Sequence, residues 1–223
     1  MSRVSLIVTL VIALAVGLLF GFFPEFDLRI AALFYDVDDN SFIFRDSRPL
    51  TWFRVATSWL LVGIVTPCVL VLVGQLLKPH AKKWFPPRAA IFLLVTLALG
   101  PGVFVNWGLK AYWSRPRPVA IVEFGGELPF VPWWDPRGKC EKSCSFVSGE
   151  AASAFWTLAP ASFAPAPWRL AAYASALLLG TGMGIIRMGM GGHFFTDVAF
   201  SGIFTFLIIF LFHRLLYRFK PRS

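Results

Sequence analysis

A chain of 223 residues with 57% hydrophobic content and 24 phenylalanines is too apolar for one soluble domain. Its formal net charge of +9 does not make it a nucleic-acid binder, because the basic residues flank apolar runs and form no folded basic face. Basic residues placed that way match anionic lipid surfaces and report topology.

In chain order, the first apolar run is Val4–Phe23, close to the roughly 20 residues that cross ~30 Å of hydrocarbon. Only Arg3 precedes it as a basic residue, and "AVGLLFGFFPE" offers no clean small-x-small cleavage site. It is read as a retained first helix, with a cleaved signal peptide as the alternative. Pro24–Thr51 follows, rich in acids ("YDVDDN"), with a short amphipathic helix expected around "DLRIAALFY". The second and third spans are expected over 53–77 and 89–109, with Cys68 a core thiol of the second. Lys110–Ser148 is a long loop with the Trp133–Trp134 pair and, in "CEKSC", Cys140 and Cys144, which form either a disulfide or two free thiols. A zinc site there lacks two further ligands of the usual spacing.

A short, small-residue-rich stretch, 150–164, completes a fourth span, and the fifth and sixth run over about 170–187 and 197–213. The outer loops are then 24–52, 110–149 and 188–196, and 1–223 is one membrane domain. The expected fold is an all-α integral membrane bundle of six helices. Its tryptophans, Trp52, Trp107, Trp113, Trp133, Trp134 and Trp168 among them, read mostly as an interfacial belt, with Trp133 and Trp134 as a second option at a lipid access route.

Lysine and arginine distribution orients the bundle. The loop "KPHAKKWFPPR" holds Lys78, Lys82, Lys83 and Arg88, and the tail "HRLLYRFKPRS" holds Arg214, Arg218, Lys220 and Arg222, neither with an acid. Both are expected inside, with Met1 and the Arg169 turn. The loop 110–149 strains this rule with Lys110, Arg115, Arg117, Arg137, Lys139 and Lys142. Positive charge retained on the outer side asks for a bound anion.

Polar groups gather at the outer ends of four spans: Lys110 ends the third, Ser148, Gly149 and Glu150 open the fourth, Arg187 ends the fifth, and His193 and Asp197 open the sixth. Charges at membrane depth are expensive and default to function. Lys110, Arg117 and Arg187 suit a doubly charged oxyanion. Ser148 and Gly149, where a helix begins, add backbone N–H groups to a phosphate cradle. His193 is a candidate nucleophile toward phosphorus, with Asp197 four residues on to orient its ring. The bland readings are interfacial snorkelling for the cations and a hydrogen-bonded structural pair for His193 and Asp197. Arg115 reads as lipid-facing or as a secondary substrate contact.

Lys110-x6-Arg117-Pro118, Ser148-Gly149 and Arg187-x5-His193-x3-Asp197, in that order over about two-fifths of the chain, resemble the three-part signature of the type 2 phosphatidic acid phosphatase superfamily. The resemblance implies a six-helix membrane phosphatase with no metal requirement and no other cofactor. It implies that Lys110, Arg117 and Arg187 bind phosphate, and that His193 is the nucleophile oriented by Asp197. Three positions depart from the family pattern, the first being Val147, where the second motif usually carries proline. Glu150 stands where the second motif usually carries the histidine assigned as general acid, and Ile186 stands where the third usually begins with serine. Glu150 is then either the proton donor or a structural carboxylate paired with a basic neighbour.

"CSFVSGEA" behind a basic loop is similar to a bacterial subgroup that includes lipid A 4'-phosphatase-like proteins. The expected function is hydrolysis of a lipid phosphate monoester at the periplasmic face of a bacterial inner membrane. Lipid A 4'-phosphate is the leading candidate substrate. Phosphatidylglycerophosphate, phosphatidic acid and undecaprenyl pyrophosphate are alternatives. Phosphotransfer to an acceptor lipid is a second enzymatic reading, and a non-catalytic phospholipid-binding or transport protein is the reading from another class.

Overall fold

The computed structural model describes residues 2–79, 85–141 and 144–218. Of the residues invoked above, Met1, Lys82, Lys83, Lys142, Lys220 and Arg222 lie outside the described residues. The chain forms a helical membrane bundle whose five long apolar helices are each able to cross a bilayer by length and composition.

Helix α1 (Arg3–Phe22) opens on Ser2, whose Oγ accepts the Ser5 N–H at 3.1 Å, and stops short of Pro24. A second, short helix α2 (Glu25–Ala32) follows at once, with Glu25 and Asp27 in its first turn, where acids suit the helix dipole. A two-stranded antiparallel hairpin then pairs β1 (Tyr35–Asp36) with β2 (Ser41–Phe42).

Helix α3 (Arg48–Leu77) starts earlier than the expected Phe53, with a proline in its first turn, the one place where the missing amide hydrogen costs nothing. Its 30 residues are about 45 Å long, well over the hydrocarbon thickness. The third crossing runs from α4 (Pro87–Leu97) through a π-helical stretch, Ala98–Leu109, to the single turn α5 (Lys110–Tyr112). Pro101 lies within the stretch and has no amide hydrogen to give. The Asn106 side chain donates to the Pro101 carbonyl at 2.7 Å.

The single fourth helix expected over 150–164 is corrected. The chain instead forms α6 (Gly149–Phe155), α7 (Leu158–Ala161) and a 3-10 turn, Ala166–Trp168. Pro160, Pro165 and Pro167 withhold amide hydrogens, so no continuous helix is available. The break between α6 and α7 is tolerated because it lies inside the protein: Ala151, Ala152, Ala154 and Trp156 are fully buried. The segment packs along α8 (Arg169–Gly189) without being a long helix itself. Helix α9 (Phe195–Arg218) closes the bundle against α1 and α6.

Outward-facing residues such as Val4, Leu14, Leu76 and Leu170 are left bare, as lipid contact requires. The inner core joins Val71, Phe92, Leu93, Trp156, Leu158 and Ile209, and Trp156 donates its indole N–H to Thr96 Oγ1 at 3.0 Å. Over the other end of the bundle, Ala31, Phe42, Ile121, Phe124 and Phe194 form a small core of their own. Trp52, Trp107 and Trp168 are exposed, whereas Trp133 packs inward, 4.5 Å from the Phe200 ring. Cys140 and Cys144 are joined by a disulfide, which selects between the two readings of that pair.

Candidate active site

Four chain segments bring the polar residues to one end of the bundle. Lys110 follows the π-helical stretch, Gly149 and Glu150 open α6, Arg187 lies in the last turn of α8, and His193 immediately precedes α9. The turn between α8 and α9 needs a left-handed residue at Gly191, where φ is 67°. Two outer segments brace that turn: Phe44 N–H donates to the Gly189 carbonyl at 2.9 Å and Val119 N–H to the Gly191 carbonyl at 3.0 Å.

Gly149 is dictated by close approach. A Cβ there would lie 2.6 Å from Asn106 Oδ1 and 3.2 Å from Lys110 Nζ. Arg117 and Arg187 both repel the Lys110 ammonium, so the three cations share one neighbourhood that an anion would stabilise. Beside them is a cavity of about 210 Å³, lined by Arg54, Thr57, Asn106, Lys110, Glu150 and Ser153 among others. Ser148 is placed differently from the expected cradle. Its Oγ caps α6 by accepting from Ala151 N–H, and its own N–H is taken by the Asp197 carbonyl at 3.2 Å.

His193 is 2% exposed. Its Nδ1 lies 2.7 Å from the Ser145 carbonyl oxygen and 3.7 Å from Asp197 Oδ2. A carbonyl oxygen only accepts, so Nδ1 carries the hydrogen and Nε2 keeps its lone pair. Burial pushes the His193 pKa below the ordinary histidine value, against the opposite pull of Asp197. The ring is therefore held neutral, in the tautomer a nucleophilic Nε2 requires.

Asp197 is itself held on every side. It accepts from Arg115 Nη1 at 2.6 Å, from Phe194 N–H at 2.8 Å and from the Ser145 hydroxyl. Arg115 is fully buried, which corrects its reading as a lipid-facing or substrate-touching residue. Its Nη2 binds Asp27 Oδ2 at 2.8 Å, its Nε donates to the Val131 carbonyl at 2.9 Å, and its guanidinium lies 4.2 Å from the Phe194 ring centroid. Thr196 N–H donates to Asp27 Oδ1 at 3.1 Å. Burial raises the Asp27 pKa despite Arg115. One guanidinium thus joins α2, the long loop after α5 and α9 behind the histidine.

Glu150 is paired with a residue that sequence reasoning missed. Arg54, in the early turns of α3, donates Nε to Oε2 at 2.6 Å and Nη2 to Oε1 at 2.7 Å. Arg187 Nε stands 3.5 Å from the same Oε1. A carboxylate in this fork accepts through both oxygens and has no proton to give. Of its two expected roles, the geometry favours the paired carboxylate. The signal for Arg54 was present in the sequence: it is the only charged residue between Phe53 and Leu77. Asp27 left a subtler one, an acid sharing a helix face with Ile30 and Ala31.

The PAP2 superfamily model matches residues 89–221. Over 221 residues, 99% of both chains, this sequence is 34% identical to the lipid A 4'-phosphatase of Francisella tularensis subsp. novicida (strain U112). It is 32% identical over 202 residues to the lipid A 4'-phosphatase of Rhizobium leguminosarum, covering 85% of this chain and 86% of the other. A third lipid A 4'-phosphatase, from Rhizobium etli, is 33% identical over 204 residues, 85% of this chain and 78% of the other. No solved structure matches the chain to a significant degree.

Proposed function

The chain belongs to the PAP2 superfamily, and from that premise we propose that it is a membrane lipid phosphatase that removes the 4'-phosphate of lipid A. The observation that carries the chemistry is the Ser145 carbonyl fixing His193 Nδ1–H at 2.7 Å. Lys110, Arg117 and Arg187 hold the phosphate oxygens and spread the charge that builds on them. Nε2 of His193 attacks phosphorus, the bond from phosphorus to the lipid oxygen breaks, and that oxygen takes a proton from solvent, which the water of the second step gives back. Water then attacks the phospho-histidine, releasing inorganic phosphate and returning the neutral ring. Asp197 steadies the imidazolium character that develops in the first step, through the Ser145 hydroxyl it accepts from and from 3.7 Å away.

The site faces the periplasm in this reading, with both termini in the cytoplasm of a bacterial inner membrane and residues 1–223 acting as one domain. Val37 is 81% exposed in the outer loop. A Val37→Cys variant should react with a membrane-impermeant thiol reagent in intact spheroplasts. Labelling only after permeabilisation reverses the orientation. The function is tested by mass spectrometry of lipid A from cells with and without this chain, and by release of free phosphate from lipid A by the purified protein. Unaltered lipid A in cells that make the protein, together with no phosphate release, rejects the substrate.

A further inference from the structure

Arg54 lies outside all three motifs, yet it makes a two-armed ion pair with Glu150 at the site. Its fork holds both oxygens of Glu150, at 2.6 and 2.7 Å, while Arg187 Nε stays 3.5 Å from the same carboxylate. Met190 Sδ sits 3.7 Å from Nη1 of Arg54 and 3.7 Å from Nη1 of Arg187. The carboxylate therefore stands between two guanidiniums and is drawn onto one of them. Arg187 Nε is buried and makes no hydrogen bond among the described residues.

A carboxylate here is a problem for a phosphatase. It repels a dianionic phosphate, and it competes for the cations that should bind one. Neither side chain is deeply buried, with exposures of 29% for Arg54 and 38% for Glu150, so burial alone does not restrain Glu150. The bidentate fork does, because two parallel N–H···O bonds fix direction as well as charge. Released from Arg54, the Glu150 carboxylate has Arg187 within reach at its present 3.5 Å.

We propose that Arg54 is a positioning residue: it neutralises Glu150 and holds it away from Arg187, so that the phosphate-binding cations stay available to the substrate. Arg54 acts through Glu150 and does not itself bind the phosphate. The inference rests on the reading of Lys110, Arg117 and Arg187 as phosphate ligands.

The test is a double-mutant cycle on the full-length protein in detergent. It is read by inorganic phosphate binding in calorimetry and by KM and kcat with the lipid phosphate. Arg54→Ala should weaken phosphate binding and raise KM by ~10-fold or more with a much smaller change in kcat. Arg54→Ala combined with Glu150→Gln should recover phosphate binding to within about 3-fold of wild type, since the anion that Arg54 restrains is gone. Arg54→Lys, which keeps the charge but loses the fork, should fall between, and Glu150→Gln should relieve it too. That pair carries the test if the alanine variant does not fold.

A loss that persists undiminished when Glu150→Gln is added makes Arg54 a direct phosphate ligand and overturns the inference. So does an Arg54→Ala protein that folds and binds phosphate normally. Wild-type protein that binds no phosphate removes the phosphate-pocket reading, and this inference with it. Wild-type binding without recovery in the double variant removes this inference alone.

Discussion

His193 Nδ1 lies 2.7 Å from the backbone carbonyl of Ser145, closer than any atom of the aspartate four residues along. A backbone acceptor cannot be lost to a side-chain substitution, so the tautomer of His193 is set by the path of the chain before Val147. Asp197 acts one step further out, accepting the Ser145 hydroxyl and the Phe194 N–H that shape this path.

Replacing the proposed nucleophile and replacing its neighbour should therefore differ in kind. His193→Ala removes the attacking nitrogen while leaving Lys110, Arg117 and Arg187 in place. Phosphate release should fall below about one part in 10³ of wild type, with substrate binding kept. Ser145→Ala removes only the hydroxyl, keeps the carbonyl on Nδ1, and should retain most of the turnover. Trapping acid-labile phosphate on wild-type protein, and its absence on His193→Ala, checks the assignment. Robust turnover by His193→Ala would falsify it.

The pH dependence follows from the burial of His193. Its folded-state pKa is depressed below the ordinary value of about 6.5. The active, neutral ring therefore persists as pH falls through 6.5, and is lost only when pH drops past the lower folded value. The acid limb of kcat/KM should accordingly lie below pH ~6.5. The same shift makes protonation of this ring unfavourable to folding, so its contribution to stability is present above the unfolded value and lost as pH falls toward the folded one. A pH–rate profile with its acid limb above 6.5 would mean that the imidazolium is the stabilised form.

Arg115 bridges two carboxylates in a place that water does not reach, with Asp27 and Asp197 on either side at 2.8 and 2.6 Å. Removing one partner of such a cluster strands buried charge. Arg115→Ala should cost roughly 3–5 kcal/mol of stability, read as a lower unfolding midpoint in detergent. Asp27→Asn keeps the shape and the hydrogen bond from Thr196 N–H, and should cost much less. A stable, fully active Arg115→Ala protein would show that the cluster does not hold α2 and α9 together.

Much of this arrangement is legible in the sequence. Helix termini report themselves through charged residues at the ends of apolar runs, so Lys110, Arg187 and His193 were placed on one face from spacing alone. Pairings between distant segments were not. Glu150 and Arg54 are 96 residues apart, and Arg115 and Asp27 are 88 apart. No local periodicity encodes such a contact. A lone arginine inside an apolar run announces only that a partner exists. The long apolar helices were readable because lipid demands a continuous run of the right length. The stretch 150–164 reads as one helix because Pro160 leaves hydropathy unchanged while removing an amide hydrogen. Its burial depends on small residues meeting α8, a property of two helices rather than one.

Glu150 gives the most discriminating kinetic test, because its two possible roles respond oppositely to the leaving group. A general acid at this position would have to carry a proton, yet both of its oxygens accept from Arg54, at 2.6 and 2.7 Å. If it nonetheless donated one, Glu150→Gln would slow an alkyl phosphate by ~10²–10⁴ and nearly spare an aryl phosphate, whose leaving oxygen needs little protonation. The paired carboxylate predicts another pattern. Glutamine keeps the shape but not the charge, so the cations become less neutralised, and alkyl and aryl phosphates should change by the same factor. Measuring kcat on one substrate of each kind, wild type against Glu150→Gln, separates the two. A selective loss on the alkyl substrate would return Glu150 to the proton-donor role. It would also require the Arg54 pair to open during turnover.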